Sequence, residues 1–143
     1  MKILVINGPN LNLLGTRQTE VYGKKSLEEI NRALRKSFPK VDFHFFQSNS
    51  EGGIIDEVQS SLEKDYTGII INPGAYGHYS YAIRDALASV KVPVIEVHLS
   101  NIYRREEFRQ RSVISAACTG VVVGFGEAGY LLAVHALMGA VGK

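Results

Sequence analysis

The chain has 143 residues, 45% hydrophobic and 21% charged, with a formal net charge of +2 and one cysteine. That length fits one compact domain over residues 1–143, and the composition excludes a disordered or disulfide-stapled chain. There is no clustered basic stripe, no apolar run of about 18 residues, and only a four-residue apolar stretch near Met1, so a cytoplasmic protein without nucleic-acid or membrane partners is expected.

Lys2 to Ile6 reads as a first strand. Residues 8–25 then show neither strand nor helix periodicity, although strand-to-helix connections usually run roughly 2 to 6 residues. A lid loop carrying Arg17 and Tyr22 is expected there. Ser26-Leu-Glu-Glu29 is a capping box that starts a helix, with Leu27, Ile30, Leu34 and Phe38 on one apolar face and Pro39 as its stop. Val41 to Gln47 is the second strand. A helix from Ser50 or Glu51 turns Ile54, Ile55, Val58 and Leu62 inward, and Gly68 to Asn72 is the third strand. A helix over His78 to Ser89 follows, facing the sheet with Ile83, Ala86 and Leu87. Val94 to Val97 and Gly120 to Gly124 are the last strands, separated by a basic stretch, Arg104 to Arg111, that reads as a solvated helical face. Cys118, among Ala116, Ala117 and Val121, reads as a small buried hydrophobe. The final helix begins near Glu127 and uses Tyr130, Leu131, Val134, Leu137 and Met138.

Strands that are apolar throughout belong to a sheet covered on both faces, and strand–helix alternation implies right-handed crossovers. The expected fold is α/β, a flavodoxin-like doubly wound five-stranded parallel sheet of order 2-1-3-4-5 with helices on both faces. Ligands in such sheets sit outside the carboxyl ends of the strands. Those ends read Asn7-Gly-Pro-Asn10, Gln47-Ser-Asn49, Asn72-Pro-Gly-Ala-Tyr-Gly-His78, Glu96-Val-His98-Leu99-Ser100-Asn101 and Gly124-Phe-Gly-Glu127.

Glu96 and His98 lie two apart on one strand and share a face, a spacing that lets a carboxylate fix an imidazole tautomer for acid or base work. Tyr22 is a candidate base whose phenol ionises near pKa 10, and lowering that value by about 2 units requires roughly 3 kcal/mol, within reach of one or two close arginines such as Arg17. His44 and His135 fall away from the crevice, which leaves no ligand set for a metal. Gly124-Phe-Gly126-Glu-Ala-Gly129 matches the dinucleotide fingerprint, but the chain ends too soon for the acidic ribose partner, so these glycines read as turn and packing residues and no cofactor is expected. The competing reading is a flavodoxin-like module that holds a nucleotide or flavin in the same crevice.

With NGPNLNLLGTR and Tyr22-Gly23, QSNSEGGIID, NPGAY with His78 and IRDAL, EVHLSNIYRREEFR and GFGEAGYLLA in order, the chain strongly resembles the type II 3-dehydroquinate dehydratases over its whole length. The resemblance implies a hydro-lyase of the shikimate or quinate pathway, performing a metal-independent anti elimination through an enolate. Tyr22 would be the base, Arg17 its activator, Asn10 the holder of a water at the enolate, and His98, oriented by Glu96, the acid. It also implies that Asn72, His78 and Arg109 bind substrate hydroxyls, that Leu99 and Ser100 give backbone donors to its carboxylate, and that Asp85 arrives from a neighbouring subunit of a dodecamer built from trimers. Lys24, Lys25, Lys36, Lys40, Lys64 and Lys91 fall in the lid or on expected helix ends and loops, and none sits at a strand end, against a Schiff-base route. Departures from the family pattern are Gln18 and Thr19 in the lid, Gly77 where Thr is common, and Arg111 where His is frequent.

Overall fold

The computed structural model describes residues 1–141. Five strands, β1 (Lys2–Asn7), β2 (Asp42–Gln47), β3 (Gly68–Asn72), β4 (Val94–His98) and β5 (Gly120–Val123), form one parallel sheet of order β2-β1-β3-β4-β5, the order expected from the sequence. Asn7 lies level with both Gln47 and Asn72, which brings three strand ends to one line.

Strand parity divides the core. Ile3, Val5, Ile70, Ile95 and Val97 point to one face, where Ile30 and Leu34 of α2 (Leu27–Ser37, after the one-turn α1, Thr19–Tyr22) and Tyr130, Val134 and Leu137 of α5 (Ala128–Ala140) cover them. Leu4, Ile6, Ile69 and Ile71 point to the other, under Ile54 and Val58 of α3 (Glu51–Ser60) and Ile83 and Leu87 of α4 (Tyr81–Ala88). Serines begin three of the helices: Ser26, Ser50 and Ser80 accept from the N–H of Glu29, Gly53 and Ile83, satisfying donors that a helix start leaves unpaired.

The structure corrects several local readings. The lid is not devoid of regular structure: a 3-10 turn spans Leu11–Leu13 and α1 forms a single turn. Leu11 and Leu14 are buried in the core and anchor the first part of the segment, and its second part runs between Gly15 and Gly23, whose φ of 88° and 89° only glycine adopts without strain. The helix expected from His78 starts at Tyr81, because Gly74–His78 coils as a 3-10 turn and Ser80 supplies the cap. Leu62 lies past the end of α3 and is 54% exposed; Met138, on an almost uniformly apolar helix, is 42% exposed. Between β4 and β5 there is no α-helix. The basic stretch forms 3-10 turns at Ile102–Arg104 and Glu107–Arg109, followed by another at Ser115–Ala117. Cys118 is only half-buried, and burial pushes its thiol up to about 12.

Candidate active site

A cleft opens at the carboxyl ends of β1, β3 and β4, the place where ligands sit in open parallel sheets. Asn10, Arg17, Tyr22, Asn72, His78, His98, Leu99, Ser100 and Arg109, nine of the residues singled out from the sequence, line it. Glu96 stands directly behind His98. Asp85 does not join them: it lies on α4, its side chain 77% exposed and paired with Arg84.

No Asp or Glu lines the cleft, whereas Arg17, Arg105 and Arg109 do. The cavity therefore favours an anion. Arg17 Nη2 donates to the Tyr22 hydroxyl at 3.4 Å, and the guanidinium carbons of Arg17 and Arg105 lie 5.1 and 5.0 Å from the centre of the Tyr22 ring. Arg105 is a residue that sequence reasoning missed, hidden in the run read as a solvated face. Its Nη1 also donates to Ser100 Oγ at 3.3 Å. The Nε of Arg109 donates to Glu106, which leaves its two Nη groups for the cleft.

Glu96 is completely buried and His98 nearly so. His98 Nε2 lies 2.5 Å from Glu96 Oε1, which also accepts from Ser112 Oγ at 2.7 Å, while Oε2 accepts from Ser115 Oγ. Burial alone would raise the Glu96 pKa, but the bonds from His98 and the two serines outweigh it and hold the carboxyl below its ordinary value. With Nε2 committed to Glu96, Nδ1 is the His98 nitrogen left for the cleft.

His78 stacks on His98 with ring centres 5.9 Å apart. Its Nδ1 donates to the Arg111 carbonyl at 2.8 Å, which leaves Nε2 as an acceptor when the ring is neutral. Burial lowers the His78 pKa despite that bond, with His98 and Arg109 adding to the shift. A histidine harder to protonate folded than unfolded contributes stability that is complete above its ordinary value of 6.5 and is lost as pH falls through the folded value. Glu96 acts in the same direction, but only below 4.5. The urea midpoint, followed by circular dichroism because the chain lacks tryptophan, is expected to fall between about pH 7 and 5, and to fall less in His78→Gln.

Beneath the cleft, Asn72 Nδ2 donates to the Tyr130 hydroxyl at 3.1 Å, and that hydroxyl donates to Asn7 Oδ1 at 2.5 Å. Asn72 Oδ1 accepts from Gly74 N–H, so the second amide hydrogen of Asn72 remains for the cleft. Among the described residues, no hydrogen bond uses the N–H of Leu99 or Ser100. The glycine-rich turn is different. Gly124 and Gly126 spend their N–H groups on the carbonyls of His98 and Leu99, and a Cβ at Gly129 would stand 3.3 Å from Val97, as expected of turn and packing glycines. Those amides are not free to cradle a phosphate. Among the described residues no His, Cys, Asp or Glu cluster is placed to hold a metal, and no helix is long and apolar enough to cross a membrane.

A parallel sheet of flavodoxin order with an imidazole, a phenol and three guanidiniums converging at its strand ends defines an enzyme that handles protons on a small anionic molecule. The model of the family "Dehydroquinase class II" matches residues 1–138, and the chain belongs to that family, a family of hydro-lyases. It is 54% identical to the 3-dehydroquinate dehydratase of Pelodictyon phaeoclathratiforme over 97% of this chain and 93% of that protein. The crystal structure of the type II dehydroquinase from Butyrivibrio crossotus superposes with a TM-score of 0.95 at 50% identity, covering 96% of this chain and 97% of that one. The corresponding enzyme from Propionibacterium acnes gives 0.91 at 41% identity, covering 95% and 94%.

Proposed function

We propose that this protein removes water from 3-dehydroquinate to give 3-dehydroshikimate by an anti elimination through an enolate, without metal or cofactor, in the shikimate or quinate pathway. The observation that carries the reading is the placing of Tyr22, flanked by Arg17 and Arg105, and of His98, tied to buried Glu96, on the same cleft with no carboxylate in its lining.

Tyr22, as phenolate, takes the proton from the carbon beside the ketone, and the electron pair moves onto the ketone oxygen. Arg17 and Arg105 supply positive charge beside the base, and a water held near Asn10 hydrogen-bonds the enolate oxygen. The enolate then collapses, forms the carbon–carbon double bond and expels the hydroxyl. His98 Nδ1 delivers a proton to that group as it leaves as water. One turnover leaves Tyr22 with a proton and His98 without one, and exchange with solvent resets both.

Asn72, His78 and Arg109 hold the substrate hydroxyls, and the N–H groups of Leu99 and Ser100 take its carboxylate. Asp85 acts in a neighbouring copy's cleft, in a dodecamer built from trimers. Its exposed place on α4, away from the cleft of its own chain, is consistent with that role. The single half-buried cysteine fits a cytoplasmic enzyme.

Tyr130→Phe is expected to strand Asn72 Nδ2 and Asn7 Oδ1, costing about 1–3 kcal/mol in urea unfolding and raising KM more than it lowers kcat. The elimination itself is tested with substrate deuterated on the carbon beside the ketone, together with borohydride during turnover. Loss of the hydrogen anti to the departing hydroxyl, and a protein of unchanged mass, are expected. Loss of the syn hydrogen or a reduced adduct on lysine overturns the mechanism.

A further inference from the structure

The connection between β4 and β5 has no α-helix, yet within five consecutive residues of it lie a bond to His78 and two bonds to the carboxylate that holds His98. The Arg111 carbonyl takes His78 Nδ1–H, and the Ser112 and Ser115 hydroxyls donate to opposite oxygens of Glu96, the carboxylate bonded to His98. The segment is anchored between these contacts: Val113 N–H donates to the Gly77 carbonyl at 2.8 Å, and Ile114 is fully buried. Two serines three apart in an irregular loop thus meet a carboxylate that lies 16 and 19 positions earlier in the chain.

We propose that Ser112 and Ser115 are positioning residues that set the acid strength of His98 by stabilising the Glu96 carboxylate, an inference that rests on His98 being the proton donor of the elimination. When His98 gives up its proton, the Glu96–His98 pair is left with a net negative charge inside the protein. Hydroxyl donors to that carboxylate favour the anion, and such charge-assisted bonds are roughly twice as strong as neutral ones. Without the serines the pair holds its proton more tightly, as one coupled unit, and becomes a weaker acid.

The groups around the pair leave this task to the serines. Cys118 lies beyond Glu96 as a neutral thiol, held there by burial and by the carboxylate itself. Tyr103 borders the same surface as Glu96, and its phenol makes no bond to the carboxylate among the described residues. Across the cleft, His78 stacks on the His98 ring, and Arg17, Arg105 and Arg109 line the cleft with His98 while Glu96 does not.

The test compares wild type, Ser112→Ala, Ser115→Ala, the double variant and Ser112→Thr, by the pH profile of kcat and by titration of the His98 ring in 15N-histidine-labelled protein. Each alanine is expected to lower the kcat plateau about tenfold and to move the alkaline limb up by about one pH unit, with KM nearly unchanged. The His98 titration moves upward with it, Ser112→Thr restores both, and in a Glu96→Gln background the alanines add nothing. An alkaline limb and a ring titration that stay in place, or alanine effects of full size in the Glu96→Gln background, overturn the inference and reduce the serines to packing. Half-exposed Ser112 decides the matter alone where a Ser115 variant fails to fold. A wild type without lyase activity overturns the mechanistic reading of His98, while the ring titration still reads the serines' hold on the pair.

Discussion

Tyr22→Phe is expected to lower kcat by about 10³-fold while KM changes little, as measured by steady-state formation of the conjugated enone. The substitution removes one oxygen and keeps the ring, so the guanidiniums of Arg17 and Arg105 retain an aromatic face at about the same distance. Packing of α1 against the core is preserved, because Tyr22 adjoins the apolar cluster through its ring rather than its hydroxyl. A large loss in kcat with intact folding assigns the loss to the proton-accepting oxygen. A variant within about tenfold of wild type would remove Tyr22 from the chemistry.

His98→Ala is expected to fail at a different step. Water loss falls by about 10²- to 10³-fold, yet enolate formation needs only Tyr22, so in deuterated water the variant exchanges the hydrogen beside the ketone without expelling the hydroxyl. Tyr22→Phe loses exchange and elimination together. The pair of variants thus separates base from acid, by mass spectrometry of recovered substrate. His98→Ala also leaves the Glu96 carboxylate buried with only the two serines, and a loss of about 3 kcal/mol in unfolding free energy accompanies it. Elimination and exchange falling equally in both variants would contradict the division of labour.

The strands were legible because β1, β3 and β5 carry the continuous apolar runs ILVI, GIII and VVV, the pattern of a sheet covered on both faces. Helix starts were legible after Ser26 and Ser50, whereas the start after Ser80 was placed early, at His78, because the preceding residues coil as a 3-10 turn. The β4–β5 connection was not legible, since Arg104 to Arg111 carries helix-forming residues but breaks into 3-10 turns that have no sequence period of their own. Met138 was misplaced for a related reason: α5 is apolar around most of its circumference, so periodicity does not distinguish its faces. In the cleft, Glu96 and His98 could be paired from spacing alone, because strand geometry places residues two apart on one face. Arg105, Ser112 and Ser115 could not, since their contacts with Tyr22 and Glu96 arise only when an irregular loop folds back over the end of the sheet. Gly77 follows the same logic: a Cβ there would stand 2.7 Å from the Pro73 ring, a restraint visible only once the 3-10 turn has closed.

The most direct measurement is the ultraviolet absorbance of purified protein mixed with 3-dehydroquinate in buffer containing a metal chelator and no added cofactor. Rise of the conjugated enone at a rate proportional to protein, unaffected by the chelator, is the outcome that a Tyr22 and His98 elimination requires. No enone from a folded wild type, or enone formation that the chelator abolishes, would contradict it.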